Sequence, residues 1–289
     1  MSDQQPEGAP QTVPGESEPK ASRAGRDLPV AIGVGVGLGL LALLTLVFAK
    51  WVFAILGVVA VWLGAAELAQ KLRGVGYRVT LAPILISLPI AAFVAYNYGP
   101  VGHLTVFAIL VLVIFSLRLT MGVEGYVRDV TASVFVSAYL PLMLGFAILI
   151  LGDADGAWLI ATYLLLTVGS DIGGYIAGVL FGKHPMFPSI SPKKSWEGFA
   201  GSIIMQTVLG VLLFTLALDA EWWQGVIVGV VMTGTATLGD FVESALKRDM
   251  GVKDMGDLVP GHGGVMDRLD SLIPNAFVAW AFFTLFLGI

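Results

Sequence analysis

Long, continuously apolar runs separated by short polar breaks dominate this chain. Nine of them fall at 28–49, 51–68, 79–96, 101–117, 130–151, 157–181, 199–218, 225–246 and 270–288. As helices rising about 1.5 Å per residue, they are long enough to cross roughly 30 Å of hydrocarbon. Polar residues do not alternate with apolar ones inside the runs, so a closed β-barrel is excluded and helices remain. The pattern predicts an all-α, polytopic integral membrane helix bundle of about nine transmembrane helices. Residues 1–27 are polar and rich in Pro, Gly, Gln and Glu, which predicts a disordered tail. The first apolar run is too long for a signal-peptide core and lacks a well-placed small-residue cleavage site, so it reads as a retained span. The expected organisation is a tail at 1–27, a first group of spans over 28–151 and a second over 157–289.

Composition agrees: 56% of residues are hydrophobic and 13% charged, against about 25% charged in an ordinary soluble domain. A net charge of −5 without a basic tract argues against a nucleic-acid partner. The absence of cysteine excludes disulfides and thiolate metal sites, and three dispersed histidines, His103, His184 and His262, do not suggest a histidine metal centre. Nine spans place every lysine and arginine except Lys50 on one face. These lie in the tail (Lys20, Arg23, Arg26) and in the loops after the second, fourth, sixth and eighth spans. The positive-inside rule then makes that face, and the N-terminus, cytoplasmic. The opposite loops, 97–100, 152–156 and 219–224, carry no Lys or Arg, and Trp222 and Trp223 mark their interface. No internal repeat of the kind many transporters carry is visible.

Charge returns densely at residues 239–271, beside two spans, where it is costly. On a helix continuing through Arg248, Asp240, Ser244, Lys247 and Arg248 share a face, as do Asp267, Asp270 and Ser271 at the start of the last span. Carboxylate and hydroxyl oxygens suit Mg²⁺, lysine and arginine suit phosphate, and the glycines of 260–264 allow backbone N–H groups to approach an anion near a helix N-terminus. His262 fits a turn or a phosphate donor better than a general base. Taken singly, these residues have ordinary explanations, as helix-face ion pairs or as caps. Together they describe a metal–polyphosphate site at the cytoplasmic rim. Two further features point to the same side. Asp171 lies about 15 Å inside the sixth span, at about 1.5 Å per residue, among Ser170, Gly173, Gly174 and Gly178. The glycines permit close helix packing, and the carboxylate suggests a water-filled cleft. The loop after that span offers Lys193 and Lys194, with Ser195 and Glu197 placed to start the next helix. Glu67 and His103 lie near span ends with no role assigned.

The run Ser244-Ala-Leu-Lys-Arg248, then Lys253-Asp254, Pro260-Gly-His-Gly-Gly264 and Asp267-Arg-Leu-Asp270 closely resembles the signature of phosphatidate cytidylyltransferases. Ser191-Pro-Lys-Lys-Ser-Trp-Glu-Gly198 and the segment from Asp171 to Gly178 resemble two further blocks of that family, in the same order. Val259 stands where a larger apolar residue is expected, a mild departure. The resemblance implies Mg²⁺-dependent transfer of CMP from CTP to phosphatidate, with room for a second cation such as K⁺. It also implies a homodimer among membrane lipids of the bacterial inner membrane. On that basis Asp240 and Asp267 are expected to hold metal, with Asp270 and Asp171 assisting. Lys193, Lys194, Lys247 and Arg248 are expected to bind phosphate. Ser195, Ser244, Lys253, His262, Gly263, Gly264 and Arg268 complete the expected substrate site. A CTP-dependent polyprenol kinase would transfer the γ-phosphate instead. A transporter would spread its acids across the bilayer rather than gather them on one side.

Overall fold

The computed structural model describes residues 28–258 and 263–289. The polar tail, with the disorder expected of it, and residues 259–262, including His262, lie outside the described residues. The apolar runs are all helical. In chain order the helices are α1 (Leu28–Phe48), α2 (Lys50–Gly74), α3 (Leu81–Leu119), α4 (Tyr126–Ser137), α5 (Met143–Leu151), α6 (Gly156–Phe181), α7 (Trp196–Leu216), α8 (Trp222–Asp249), α9 (Met266–Leu269) and α10 (Leu272–Leu287). Seven continuous helical stretches, with α4–α5 and α9–α10 each counted as one, are long and apolar enough to cross a membrane, and α1 adds a shorter apolar segment at Gly39–Phe48.

The third of the long helices is a hairpin. Gly99 adopts φ 69° and ψ −164°, a conformation essentially restricted to glycine, and Pro100 then starts a new helix with its φ already set. The two halves run side by side: Ser87 and Ala91 of the first line the same small cavity as His103, Phe107 and Leu110 of the second. The predicted spans at 79–96 and 101–117 are thus separate arms of one element. Between α4 and α5, a π-helical turn at Ala138–Leu142 contains Pro141, which lacks the N–H of a regular helical bond.

Small residues set the closest contacts. A Cβ on Gly201 of α7 would lie 2.7 Å from the carbonyl oxygen of Gly173 on α6, and Gly210 of α7 meets Gly225 of α8 as tightly. Without a hydrophobic drive between helices in lipid, such backbone approach is what holds α6, α7 and α8 together. The buried side chains form two clusters. One includes Leu68, Ile84, Ile114, Val136 and Met266. The other includes Ile150, Leu166, Phe214, Met232 and Phe283.

The two ends of the bundle differ in charge. At one, the Lys50 ammonium donates to the carbonyl oxygens of Asp153 and Ala154 at 2.9 and 3.0 Å. Asp153, Asp155, Asp219, Glu221 and the C-terminal Ile289 line one polar cavity there. At the other end Arg118 is fully buried on Asp129, with N···O 2.9 Å, and also donates to the carbonyl oxygens of Gly122 and Glu124. Asp129 further accepts the Arg78 N–H, tying the loop before α3 to α4.

Two differences from expectation bear on function. Helix α2 runs to Gly74 rather than stopping near residue 68, so Glu67 lies within the helix instead of at its end, and it is buried, at 6% exposed. The loop before α7 folds into an antiparallel hairpin, β1 (Pro185–Phe187) with β2 (Ser191–Ser195).

Candidate active site

The charge-bearing face of α8 assembles as its spacing predicts, because the helix continues to Asp249. Its position is set by Gly239, where a Cβ would fall 2.1 Å from the carbonyl oxygen of Asp270. Only glycine allows the backbone of α8 so near the start of the last span, and the contact brings Asp240 and Asp270 to one place.

Around Asp240 lies a cleft of about 220 Å³ between α6, the β-hairpin, α7 and α8. Asp171, Lys193, Lys194, Ser195 and Asp240 line it, together with Ser170 and Ser202. The glycines of α6 do what close packing requires: Gly174 meets Ser202 and Gly178 meets Gly198 across α7. Asp171 therefore opens on the cleft instead of facing lipid. Lys194 pairs with Asp240, and its ammonium sits 5.4 Å from the centre of the Phe241 ring. Burial pushes the Lys194 ammonium down to about 8, opposed by the Asp270 and Asp171 carboxylates. Ser195 caps α7, its hydroxyl accepting the Gly198 N–H at 3.1 Å. Glu197 closes the base of the hairpin by accepting the N–H groups of Lys183 and His184.

Beside the cleft is a second cluster. The Lys247 ammonium bridges Glu243 at 2.7 Å and Asp267 at 2.8 Å. The other oxygen of Asp267 accepts the N–H groups of Met255 at 3.1 Å and Gly264 at 2.9 Å, fastening the glycine-rich loop. Asp270 accepts the Ser271 N–H and lies within electrostatic reach of Asp171, Lys194 and Glu243, linking the two clusters.

Not every expected residue joins in. Ser244 is half-buried on α8, while Arg248 and Lys253 are exposed. Arg268, though exposed, lies within electrostatic reach of Asp171. Gly263 takes φ +83° at the turn into α9. Of the backbone cradle expected at 260–264, residues 260–262 lie outside the described residues. Asp267 takes the Gly264 N–H, and Glu67 takes those of Val265 and Met266 just beyond it, at 3.1 and 2.9 Å. The helix N-terminus has drawn in the protein's own carboxylates, as its dipole favours.

Three groups enter the site that the sequence left unassigned. Glu67 is one. Glu243 is 1% exposed, and its Oε1 has no hydrogen-bond partner among the described residues. Tyr139, on the π turn, also has a buried hydroxyl without a partner among the described residues and lies within electrostatic reach of Asp270 and Glu243. The one available signal was the cost of placing an acid in or beside an apolar run, which applied to Glu67 as much as to Asp171.

The donor set is oxygen throughout, the chemistry hard divalent cations take. Among the described residues, no three His, Cys, Asp or Glu side chains gather closely enough to enclose an ion. Mg²⁺ in phosphoryl chemistry is ordinarily held by one or two carboxylates, with substrate phosphates and water completing its shell. The paired acids here, and the orphaned Glu243 oxygen, fit that mode.

Residues 30–286 match the model of the cytidylyltransferase family. The phosphatidate cytidylyltransferase of Mycobacterium leprae (strain TN) is 41% identical, with 95% of each chain covered. That of Mycobacterium tuberculosis (strain ATCC 25618 / H37Rv) is 40% identical over 92% of this chain and 85% of its own. That of Haemophilus influenzae (strain ATCC 51907 / DSM 11121 / KW20 / Rd) is 41% identical over 40% of this chain and 42% of its own. With carboxylates and lysines gathered at one end of a membrane helix bundle, and a family match spanning nearly its whole length, this chain belongs to the cytidylyltransferase family.

Proposed function

We propose that the chain is a phosphatidate cytidylyltransferase, transferring CMP from CTP to phosphatidate and releasing pyrophosphate. The observation that carries this reading is the joining of the Asp171–Lys194–Asp240 cleft to the Glu243–Lys247–Asp267 cluster through Asp270. Such a site can hold a polyphosphate and neutralise charge as it moves. In the reaction an oxygen of the phosphatidate phosphate attacks the α-phosphorus of CTP. The new O–P bond forms as the bond to the β-phosphate oxygen breaks, and pyrophosphate leaves with that electron pair. The nucleophile is already an anion, so no activated serine is required. The chain's task is alignment and electrostatics.

In this reading Lys193 and Lys194 hold the triphosphate in the cleft, and Lys247 follows the charge that develops on the leaving pyrophosphate. Ser195, fixed as the cap of α7, orients a phosphate oxygen beside them. Asp240 and Asp267 would hold Mg²⁺ together with substrate phosphates, with Asp270 and Asp171 supporting. The ion would supply charge neutralisation on the phosphate oxygens when bound. The cleft opens beside exposed apolar residues of α6, including Tyr175 and Val179, so the lipid can reach it with its acyl chains still in the bilayer.

The same reading gives nine crossings, counting α1 and both arms of α3, with the N-terminus and the site in the cytoplasm. All described basic residues except Lys50 lying toward one end supports this. A homodimer belongs to the reading and is checked by the mass of the solubilised protein. The deciding experiment supplies purified chain, phosphatidate, Mg²⁺ and CTP labelled at the α- or the γ-phosphorus. Label from α in the lipid, with one pyrophosphate released per lipid formed, is expected; label from γ in the lipid would mean a kinase.

A further inference from the structure

The first group of helices lies outside the blocks that carry the family resemblance, yet one of its side chains reaches into the site. Glu67 lies in the last third of α2, and its carboxylate oxygens accept the N–H groups of Val265 and Met266, about 200 positions along the chain. Those two N–H groups belong to the start of α9, the short helix that carries Asp267.

We propose that Glu67 is a positioning residue for the cytidylyl transfer, pinning the glycine-rich loop and the start of α9 so that Asp267 faces Lys247. The inference rests on the phosphatidate cytidylyltransferase reading above. It explains why two positions of the loop are glycine. A Cβ on Gly256 would lie 2.3 Å from Oε1 of Glu67, and one on Gly264 would lie 2.7 Å from Oε2. Gly256 and Gly264 both lie against this carboxylate, and no larger residue fits at either point without moving it. Asp267 fastens the same loop from the other side through the N–H groups of Met255 and Gly264. The two carboxylates together hold three consecutive N–H groups, those of residues 264–266, and that fixes the rotation of α9. A ligand-like group misplaced by about 1 Å can cost about 100-fold in rate, so a residue that touches no substrate can still govern turnover.

Glu67→Gln tests this, because it keeps the shape but offers one acceptor where two donors must be met. With full-length protein in phosphatidate-containing liposomes, kcat is expected to fall about tenfold or more. KM for CTP and for phosphatidate should stay within about threefold, and the thermal transition should be unchanged. Amide exchange in the peptide spanning 263–270 should quicken locally, with the other helices unaffected. A kcat within twofold of the parent, or a loss matched by a lower transition and faster exchange throughout, would overturn the proposal. If Glu67→Gln does not fold, Gly256→Ala pushes on the same carboxylate from the loop side and must show the same loss of kcat at steady KM. Retained kcat in Gly256→Ala overturns it equally. Absence of CDP-lipid from the parent would instead sink the functional reading, while the exchange measurement would still report whether Glu67 holds the loop.

Discussion

At the scale of single residues, charge and burial decide the outcome. Asp240 and Asp267 each meet a lysine, and the proposed function gives both a place beside the phosphate chain. Asp240→Asn and Asp267→Asn, at matched expression, should each slow CDP-diacylglycerol formation by about 100-fold or more, the scale on which one preorganised polar group affects such chemistry. Near-normal rates in both would refute the metal assignment. Lys194 provides a pH test. Burial pushes its ammonium down to about 8, so it carries charge below that pH and loses it above. The kcat/KM for CTP should therefore fall as pH rises through about 8. Lys194→Arg, whose guanidinium stays charged, should move that alkaline limb upward. The shared helix face of Asp240, Ser244 and Lys247 could be anticipated, because they recur at helical spacing and α8 continues to Asp249. Glu243 was legible only as half of an i, i+4 pair with Lys247. That its other oxygen is orphaned follows from what packs around it.

At the scale of elements, glycine and buried charge fix the geometry. Gly201→Leu should separate α6 from α7, since even a Cβ there meets Ala177 and the Gly173 backbone. The expected result is loss of the monodisperse peak on size-exclusion chromatography. The Arg118–Asp129 pair joins the second arm of α3 to α4 with neither side chain exposed. Removing one partner strands the other, so Asp129→Leu should destabilise by about 3–5 kcal/mol, visible as a lowered melting temperature in detergent. Restoring neutrality with Arg118→Met in the same chain should recover part of it. The helices were readable because each satisfies its own backbone and must be apolar throughout. The hairpin at Pro185–Ser195 was not, because two short strands containing proline and lysine carry no periodic signal.

At the scale of the whole molecule, the asymmetry of the two ends is the testable property. The chain has no cysteine, so an introduced one is the only thiol. Val123→Cys, at an exposed position between α3 and α4, should react with an impermeant thiol reagent only in inside-out vesicles, whereas Asp219→Cys should react in intact cells. Labelling of both from the same side would break the nine-crossing arrangement. What the sequence alone determined is the solvent of this protein, its set of apolar helices and the end at which its charge collects. Those follow from composition and from a helical period that each segment satisfies locally. Which charges meet was decided only by tertiary structure: Glu67 with the N–H groups at 265–266, Lys194 with Asp240, and Asp270 between the two clusters. Such meetings depend on how each helix is rotated and how closely glycines let it approach its neighbour, and no spacing along one segment encodes that.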